Sequence, residues 1–245
     1  MGRSSAFAYG IFSYIFFLVT LLYAIAFLGN FMVPKTIDSG EQGTVVAAVF
    51  INLLLLSIFA LQHSIMARPA FKKIWTKVIP ETIERSTYVL LSTVALGLIC
   101  SFWQPLTGVI WDFSGSNIGT ALWLLFWGGW LIALCSTFMI DHFDMFGLRQ
   151  TYLHLNERNF NRRGFQKLFF YKLVRHPIMT GFLIAFWAAP VMSVGHLLFT
   201  VVMTIYIYIA VKHFEEKDLV DIIGPDYIAY QQDVGMLIPG VGKRK

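Results

Sequence analysis

Long uncharged runs alternate with short basic ones along this chain, and that alternation lays out its helices. Residues 4–34 carry no charge. Crossing a hydrocarbon core of roughly 30 Å takes about 20 apolar residues in a helix, so Phe7 to Val33 predicts a first span, closed by Pro34. The run is too long and too aromatic for an ordinary cleaved signal. Lys35 to Gly43 forms a short polar loop. Thr44 to Met66 predicts the second span, with Asn52, Gln62 and His63 as its polar members. From Ala67 to Ser86 the chain turns basic, with Arg68, Lys72, Lys73, Lys77 and Arg85. Phe71 and Trp75 among these predict a helix lying at the membrane interface. Thr87 to Trp103 is the third span, stopped by Gln104-Pro105. A glycine-containing loop runs from Leu106 to Asn117. Ile118 to Ile140 is the fourth span, in which Gly128-Gly129 allow close approach of another helix.

The longest polar loop follows, from Asp141 to Val174, with Arg149, Arg158, Arg162, Arg163, Lys167 and Lys172. Ile178 to Val211 predicts an apolar hairpin with Pro190 and Gly195 near its middle. Each arm has about 17 residues, near the lower limit for crossing a bilayer. The pattern therefore predicts an all-α integral membrane protein of one domain. Four transmembrane helices occupy 7–140, and a polar loop, a C-terminal helical hairpin and a cytoplasmic tail occupy 141–245.

Composition agrees. Of 245 residues, 57% are hydrophobic and 13% charged, too apolar for a soluble domain. Cys100 and Cys135 both lie inside apolar runs, which argues against a disulfide scaffold or a zinc site. The net charge of +5 raises nucleic acid as a partner, but its distribution argues for orientation and lipid contact instead. Every Lys and Arg except Lys35 lies at Arg3, in 67–86, in 141–176 or after Val211. The positive-inside rule then places both termini and both long loops in the cytoplasm. Charged side chains are absent from the expected spans, which argues against an ion-coupled carrier. Six histidines permit bis-histidine haem ligation, yet His63 and His142 stand at helix ends and no C-x-x-C-H motif occurs.

Candidate chemistry concentrates at the two ends of the hairpin. Pro177 predicts a helix start, since proline suits the first helical position. Free N–H groups at that terminus, with Arg175 and His176 beside them, would receive a carboxylate or phosphate. Read plainly, Arg175 is one more interfacial cation and His176 a cap. Glu215 and Glu216 close the other arm, where orientation alone requires no acid. They could bond ribose hydroxyls or an amine, pair with Arg175, or mark a solvated helix end beside Lys212 and Lys217. Helical spacing puts Leu219 on their face. Gly224-Pro-Asp-Tyr227-Ile-Ala-Tyr230 reads as a turn and a short helix whose tyrosines anchor at the interface or wall an adenine pocket.

Arg175-His176-Pro177-x-x-x-Gly181, then Glu215-Glu216-x-x-Leu219, Gly224-x-x-Tyr227-x-x-Tyr230 and Ile238-Pro239 together resemble the C-terminal signature of the isoprenylcysteine carboxyl methyltransferase superfamily. The match covers about 70 residues, and Met179 stands where a tyrosine is usual. That resemblance implies an integral membrane enzyme using S-adenosyl-L-methionine and no metal. Arg175, His176, Pro177, Glu215, Glu216 and Leu219 would hold the cofactor, with Tyr171, Met179, Gly181, Tyr227 and Tyr230 around it. Gln62-His63-Ser64 and Asp141-His142-Phe-Asp144-Met-Phe-Gly147-Leu-Arg149-Gln150 resemble a narrower bacterial branch, the methanethiol S-methyltransferases, which make dimethyl sulfide. A nitrite/nitric-oxide-associated membrane family shares part of the signature. For a thiol acceptor, alignment and thiolate formation are the two needs. His63, His142, Asp144 and His154, all expected at the cytoplasmic face, are the candidate catalytic residues, although Asp141-His142 also reads as a polar helix exit. His196 lies at the opposite end of the hairpin. Trp123, Trp127, Trp130, Phe182, Phe186, Trp187, Phe143 and Phe146 could enclose a small thiol or face lipid.

Overall fold

The computed structural model describes residues 1–161 and 164–244. Arg162 and Arg163 of the basic loop, and Lys245, lie outside the described residues. The chain forms two compact units: Met1–Thr107 with His142–Arg162, and Gly108–Asp141 with Arg163–Lys245. Among the described residues, five helices are long and apolar enough to cross a membrane.

In the first unit α1 (Arg3–Gly29) starts four residues before the expected span and ends earlier. Its stop is Asn30, whose left-handed conformation (φ 57°) ends the helix ahead of Pro34. Helix α2 (Val45–Ala67) starts where expected, because the Thr44 hydroxyl accepts the Ala47 N–H as an N-cap. The basic stretch splits: α3 (Pro69–Trp75) is a single short helix, and α4 (Glu81–Phe102) begins six residues ahead of the expected third span. Pro80 caps α4, and Glu81 and Glu84 in its first turn suit the positive end of the helix dipole. Charge density had marked these residues as loop, whereas α4 carries them as polar turns continuous with its apolar ones. The buried Asn52 of α2 donates to the Gln104 carbonyl (2.8 Å) and accepts its N–H (2.8 Å), which satisfies the chain where α4 ends. Phe12, Ile15, Val19 and Leu22 of α1 and Val46, Phe50 and Leu61 of α2 stay exposed, as lipid-facing side chains do.

The expected polar loop holds two short α-helices. Helix α6 (His142–Met145) and helix α7 (Leu148–Leu155) return to the first unit, and α7 packs on α1 and α4. Gly147 makes this approach feasible. Its φ is +84°, and a Cβ there would lie 2.6 Å from the Ser86 backbone nitrogen.

The second unit contains a feature that an all-helical expectation omits. Strand β1 (Val109–Asp112) pairs antiparallel with β2 (Val191–Ser193), with Trp111 opposite Met192. Trp111 Nε1 also donates to the Ala189 carbonyl at 2.9 Å. The ribbon closes the two helix connections of this unit, where backbone groups would otherwise lack partners. Helix α5 (Asn117–Ile140) packs on α8 (Pro177–Trp187) through glycine. A Cβ at Gly129 would fall 2.6 Å from the Gly181 carbonyl, and one at Gly181 2.5 Å from the Gly129 carbonyl; Gly128 faces open space. Trp130 and Phe186 are buried in this packing, whereas Trp127 and Trp187 are exposed.

The hairpin arms are unequal. Helix α8 has 11 residues, a rise of roughly 16 Å, about half a bilayer core. The second arm runs without a break from α9 (Val194–Ile209) through a wide π-helical stretch (Ala210–Glu215) into α10 (Glu216–Ile223). Helix α11 (Pro225–Asp233) follows the turn at Gly224. His196, buried at the base of α9, meets the Phe186 carbonyl at 3.1 Å and joins the two arms.

We expect Gly129→Ala to destabilise the protein by about 1–3 kcal/mol through overpacking, with Gly128→Ala near neutral. Thermal unfolding in one detergent checks the contrast.

Candidate active site

Three local features position the site. Pro177 at the first position of α8 fixes where that helix starts, and His176 precedes it with non-helical backbone (φ −124°, ψ 64°). The last residues of the chain lie alongside: Arg175 N–H donates to the Gly235 carbonyl (2.9 Å), and His176 N–H to that of Met236 (3.2 Å). The π-helical stretch before α10 then delivers Glu215 and Glu216 to His176 together. Successive residues of a regular helix diverge by about 100°. A wide turn re-aims them, which is a recurrent use of π-helix at functional positions.

Glu216 is the centre. Arg175 grips it with two parallel bonds, Nε to Oε1 at 2.8 Å and Nη2 to Oε2 at 3.0 Å. His176 Nε2 lies 2.6 Å from Oε1, the Tyr227 hydroxyl donates to Oε1 at 2.9 Å, and Gln231 Nε2 donates to Oε2 at 2.5 Å. Arg175 is equally engaged. Its remaining N–H groups donate to the carbonyls of Gln231 (3.2 Å), Val234 and Gly242 (3.1 Å). The anion received by Arg175 and His176 is thus the chain's own Glu216. His176 Nδ1 faces the half-exposed Glu215 carboxylate at 3.5 Å.

Burial opposes a charge on His176, but Glu215 and Glu216 outweigh it and raise its pKa to about 9. The imidazole therefore stays protonated at neutral pH. Burial, reinforced by Glu216, pushes the Tyr227 hydroxyl well above the usual range, so it remains a donor. Tyr171 and Tyr230 are raised by burial too, and the Tyr230 hydroxyl donates to the Tyr171 carbonyl. Phe165 packs edge-on against Tyr227 and Tyr230.

Beside this cluster is a cavity of about 400 Å³. Arg175, Glu216 and Gln231 form its floor, Met236, Leu237, Ile238 and Val241 an apolar wall, and Tyr208, Lys212 and Arg244 further charged or polar lining.

Of the residues singled out from sequence, Tyr171, Arg175, His176, Glu215, Glu216, Tyr227 and Tyr230 form this one cluster. Pro177 and Gly181 shape α8: the first starts it and the second packs it on α5. Met179 is half-buried on α8, and Leu219 is half-buried one turn beyond Glu216. His63, His142, Asp144 and His154 belong to the first unit. His63 Nε2 lies 2.9 Å from the Tyr88 hydroxyl and its Nδ1 3.3 Å from Ser92. The buried His142 lies 2.7 Å, through Nε2, from the Tyr14 hydroxyl, with Phe146 against its ring. Asp144 accepts from Gln150 Nε2 at 2.8 Å, and His154 is half-buried on α7. Sequence reasoning missed Gln231, although it stands four residues after Tyr227 and shares its helix face. Lys212, Gly242, Arg244, Tyr14 and Tyr88 were also missed, and only Lys212, next to the acids, carried a local signal.

These features define a polytopic helical membrane protein with a charged site built from its C-terminal third. The chain is 49% identical to the methanethiol S-methyltransferase of Mycobacterium tuberculosis (strain ATCC 25618 / H37Rv), over 98% of both chains. It is 47% identical to that of Crocosphaera subtropica over all of this chain and 95% of that one. Methanethiol S-methyltransferase 2 of Bradyrhizobium diazoefficiens is 48% identical over 99% of this chain and 93% of that one. No family model matches the chain, and no solved structure matches it significantly. The chain belongs to the methanethiol S-methyltransferase family, the branch that its sequence resembles.

Removing one partner of a buried ion pair costs about 3–5 kcal/mol, so Glu216→Gln should lower unfolding stability by that order, with Glu215→Gln changing it much less. Stability should also depend on pH through His176. Its folded pKa of about 9 lies above the ordinary 6.5, so its contribution is complete below about 6.5 and lost as pH rises through about 9. Unfolding midpoints measured across that window should fall for the wild type and stay flatter for His176→Phe.

Proposed function

We propose that this protein methylates methanethiol to dimethyl sulfide with S-adenosyl-L-methionine as methyl donor. The observation that carries this reading is near-half identity, over essentially the whole chain, to several proteins named for that reaction. The second unit supports it. A cavity of about 400 Å³ lies within the size range of cofactor pockets. Its lining combines cations, a carboxylate, hydrogen-bonding groups and an apolar wall, a donor set that fits a ligand carrying a carboxylate, an ammonium, ribose hydroxyls and a flat base.

When bound, the cofactor supplies a methyl group activated by its sulfonium. A thiolate sulfur would attack that methyl carbon in line. The new S–CH3 bond would form as the carbon–sulfonium bond broke, with the electron pair leaving on the sulfonium sulfur as a neutral thioether. The chain's part is alignment, exclusion of water and removal of the thiol proton. Glu215, half-exposed beside His176, meets the cofactor's ammonium or ribose. Arg175 and Glu216, engaged with each other, act as positioning residues that hold the wall in place. His176, Tyr171, Tyr227 and Tyr230 keep that wall rigid, and Pro177, Met179, Gly181 and Leu219 complete its frame. His63, His142, Asp144 and His154 assist deprotonation of the thiol. His142 lies 2.7 Å, through Nε2, from the Tyr14 hydroxyl.

The enzyme lies in the bacterial inner membrane with both termini in the cytoplasm, a reading supported by the distribution of Lys and Arg. The basic helix α3, with Lys72, Lys73 and the exposed Ile74, suits anionic lipid at that face.

Purified protein given labelled S-adenosylmethionine and methanethiol should release labelled dimethyl sulfide into the headspace, and long-chain thiols should react poorly. Turnover should rise with pH as the thiolate fraction grows, then fall near pH 9 as His176 loses its proton. A preparation that binds the cofactor, makes no dimethyl sulfide and methylates a farnesylcysteine analogue would refute the small-thiol reading.

A further inference from the structure

Two further cations line the cavity, and one of them, Arg244, joins the Arg175–Glu216 network through Gln231. Lys212 leaves the π-helical stretch, and its ammonium donates to the Tyr208 hydroxyl at 2.8 Å, which takes one of its three N–H groups. Arg244 lies on the terminal segment. Its backbone N–H donates to the Gln231 carbonyl (2.9 Å), and Nη1 donates to Gln231 Oε1 (3.1 Å). One clasp to Gln231 thus holds the Arg244 guanidinium at the cavity and leaves most of its donor fork pointing elsewhere. Both side chains line the same cavity as Glu216.

On the cofactor reading above, the ligand carries a sulfonium, an ammonium and a single carboxylate, a net positive charge. Two basic side chains in its pocket would repel it unless they meet its one anionic group. The floor cannot meet it, because the donors of Arg175 already serve Glu216 and three carbonyls. We propose that Lys212 and Arg244 form the subsite for the cofactor's carboxylate. The apolar wall of Met236, Leu237 and Val241 then remains for the less polar end. The arrangement makes the chain's last residues part of the binding site.

Decarboxylated S-adenosylmethionine isolates this contact, because it keeps the sulfonium, amine and nucleoside. Calorimetry on the full-length protein in detergent would compare both ligands for wild type, Lys212→Met and Lys212→Met/Arg244→Gln. A charge-assisted bond is worth about 1.5–3 kcal/mol, so the double variant should bind S-adenosylmethionine at least about tenfold more weakly. Its affinity for the decarboxylated ligand should be unchanged or higher, since a repulsion has been removed. Lys212→Met alone, outside the Gln231 clasp, should show the same selective loss at smaller size and with an unchanged unfolding midpoint. Equal loss for both ligands, or wild-type affinity for S-adenosylmethionine in the double variant, overturns the carboxylate subsite and leaves the cofactor reading standing. Failure of the wild type to bind either ligand overturns both.

Discussion

The Glu216 carboxylate is the interaction on which the C-terminal half of the second unit depends. Among the described residues five donors converge on it, from Arg175, His176, Tyr227 and Gln231. They come from the segment before α8 and from α11, while Glu216 itself opens α10. Taking such a group out of water is expensive, and an apolar replacement of equal shape often does as well for stability alone. The gain is in arrangement. Arg175 and His176 carry two positive charges and Glu215 and Glu216 two negative ones, so the cluster, buried except for Glu215, is close to neutral only when all four are in place. An alternative packing of α10 or of the terminal segment would leave at least one charge buried without its counterpart.

The apolar runs made four of the five long helices legible, because burial in lipid needs only composition and length. Their ends were less so. Glu81, Glu84 and Arg85 belong to α4, yet a charge-based boundary places them in a loop, since a helix that emerges into water keeps its hydrogen bonds while its side chains change character. The 141–174 segment hid α6 and α7 for a related reason: each is short, and each is held by packing, as at Gly147 against Ser86, rather than by its own periodicity. The β1–β2 ribbon rests on a pairing between residues some 80 positions apart, which no local pattern encodes.

The site was legible as a set of residues and not as a set of contacts. Spacing placed Arg175, His176, Glu215, Glu216, Tyr227 and Tyr230 together. It could not tell that Arg175 and Glu216 satisfy one another, because a free ion and a paired one are written with the same letter. Nor could it announce the π-helical turn at Ala210–Glu215, which arises where an apolar helix meets two adjacent acids that must both reach one imidazole. Gly242 takes part through its backbone carbonyl, a role that places little demand on residue type, whereas Gln231 joins through side-chain bonds to Glu216 and Arg244 that depend on the fold.

The different burial of Glu215 and Glu216 bears on the chemistry. On the proposed reading, transfer of a methyl group from a sulfonium develops no new charge on an oxygen, so an oxyanion hole of the acyl-transfer kind has nothing to stabilise. What the enzyme can supply is geometry, and a preorganised wall supplies it at no reorganisation cost during the reaction. A carboxylate whose lone pairs are all occupied is poorly placed to bind ligand but well placed to hold its neighbours still. Glu216, with its donors in a buried frame, is therefore best understood as the fixed reference against which the half-exposed Glu215 and the cations Lys212 and Arg244 are positioned. Rigidity at the buried acid and accessibility at its neighbour are complementary demands, and two adjacent glutamates on a widened turn meet both.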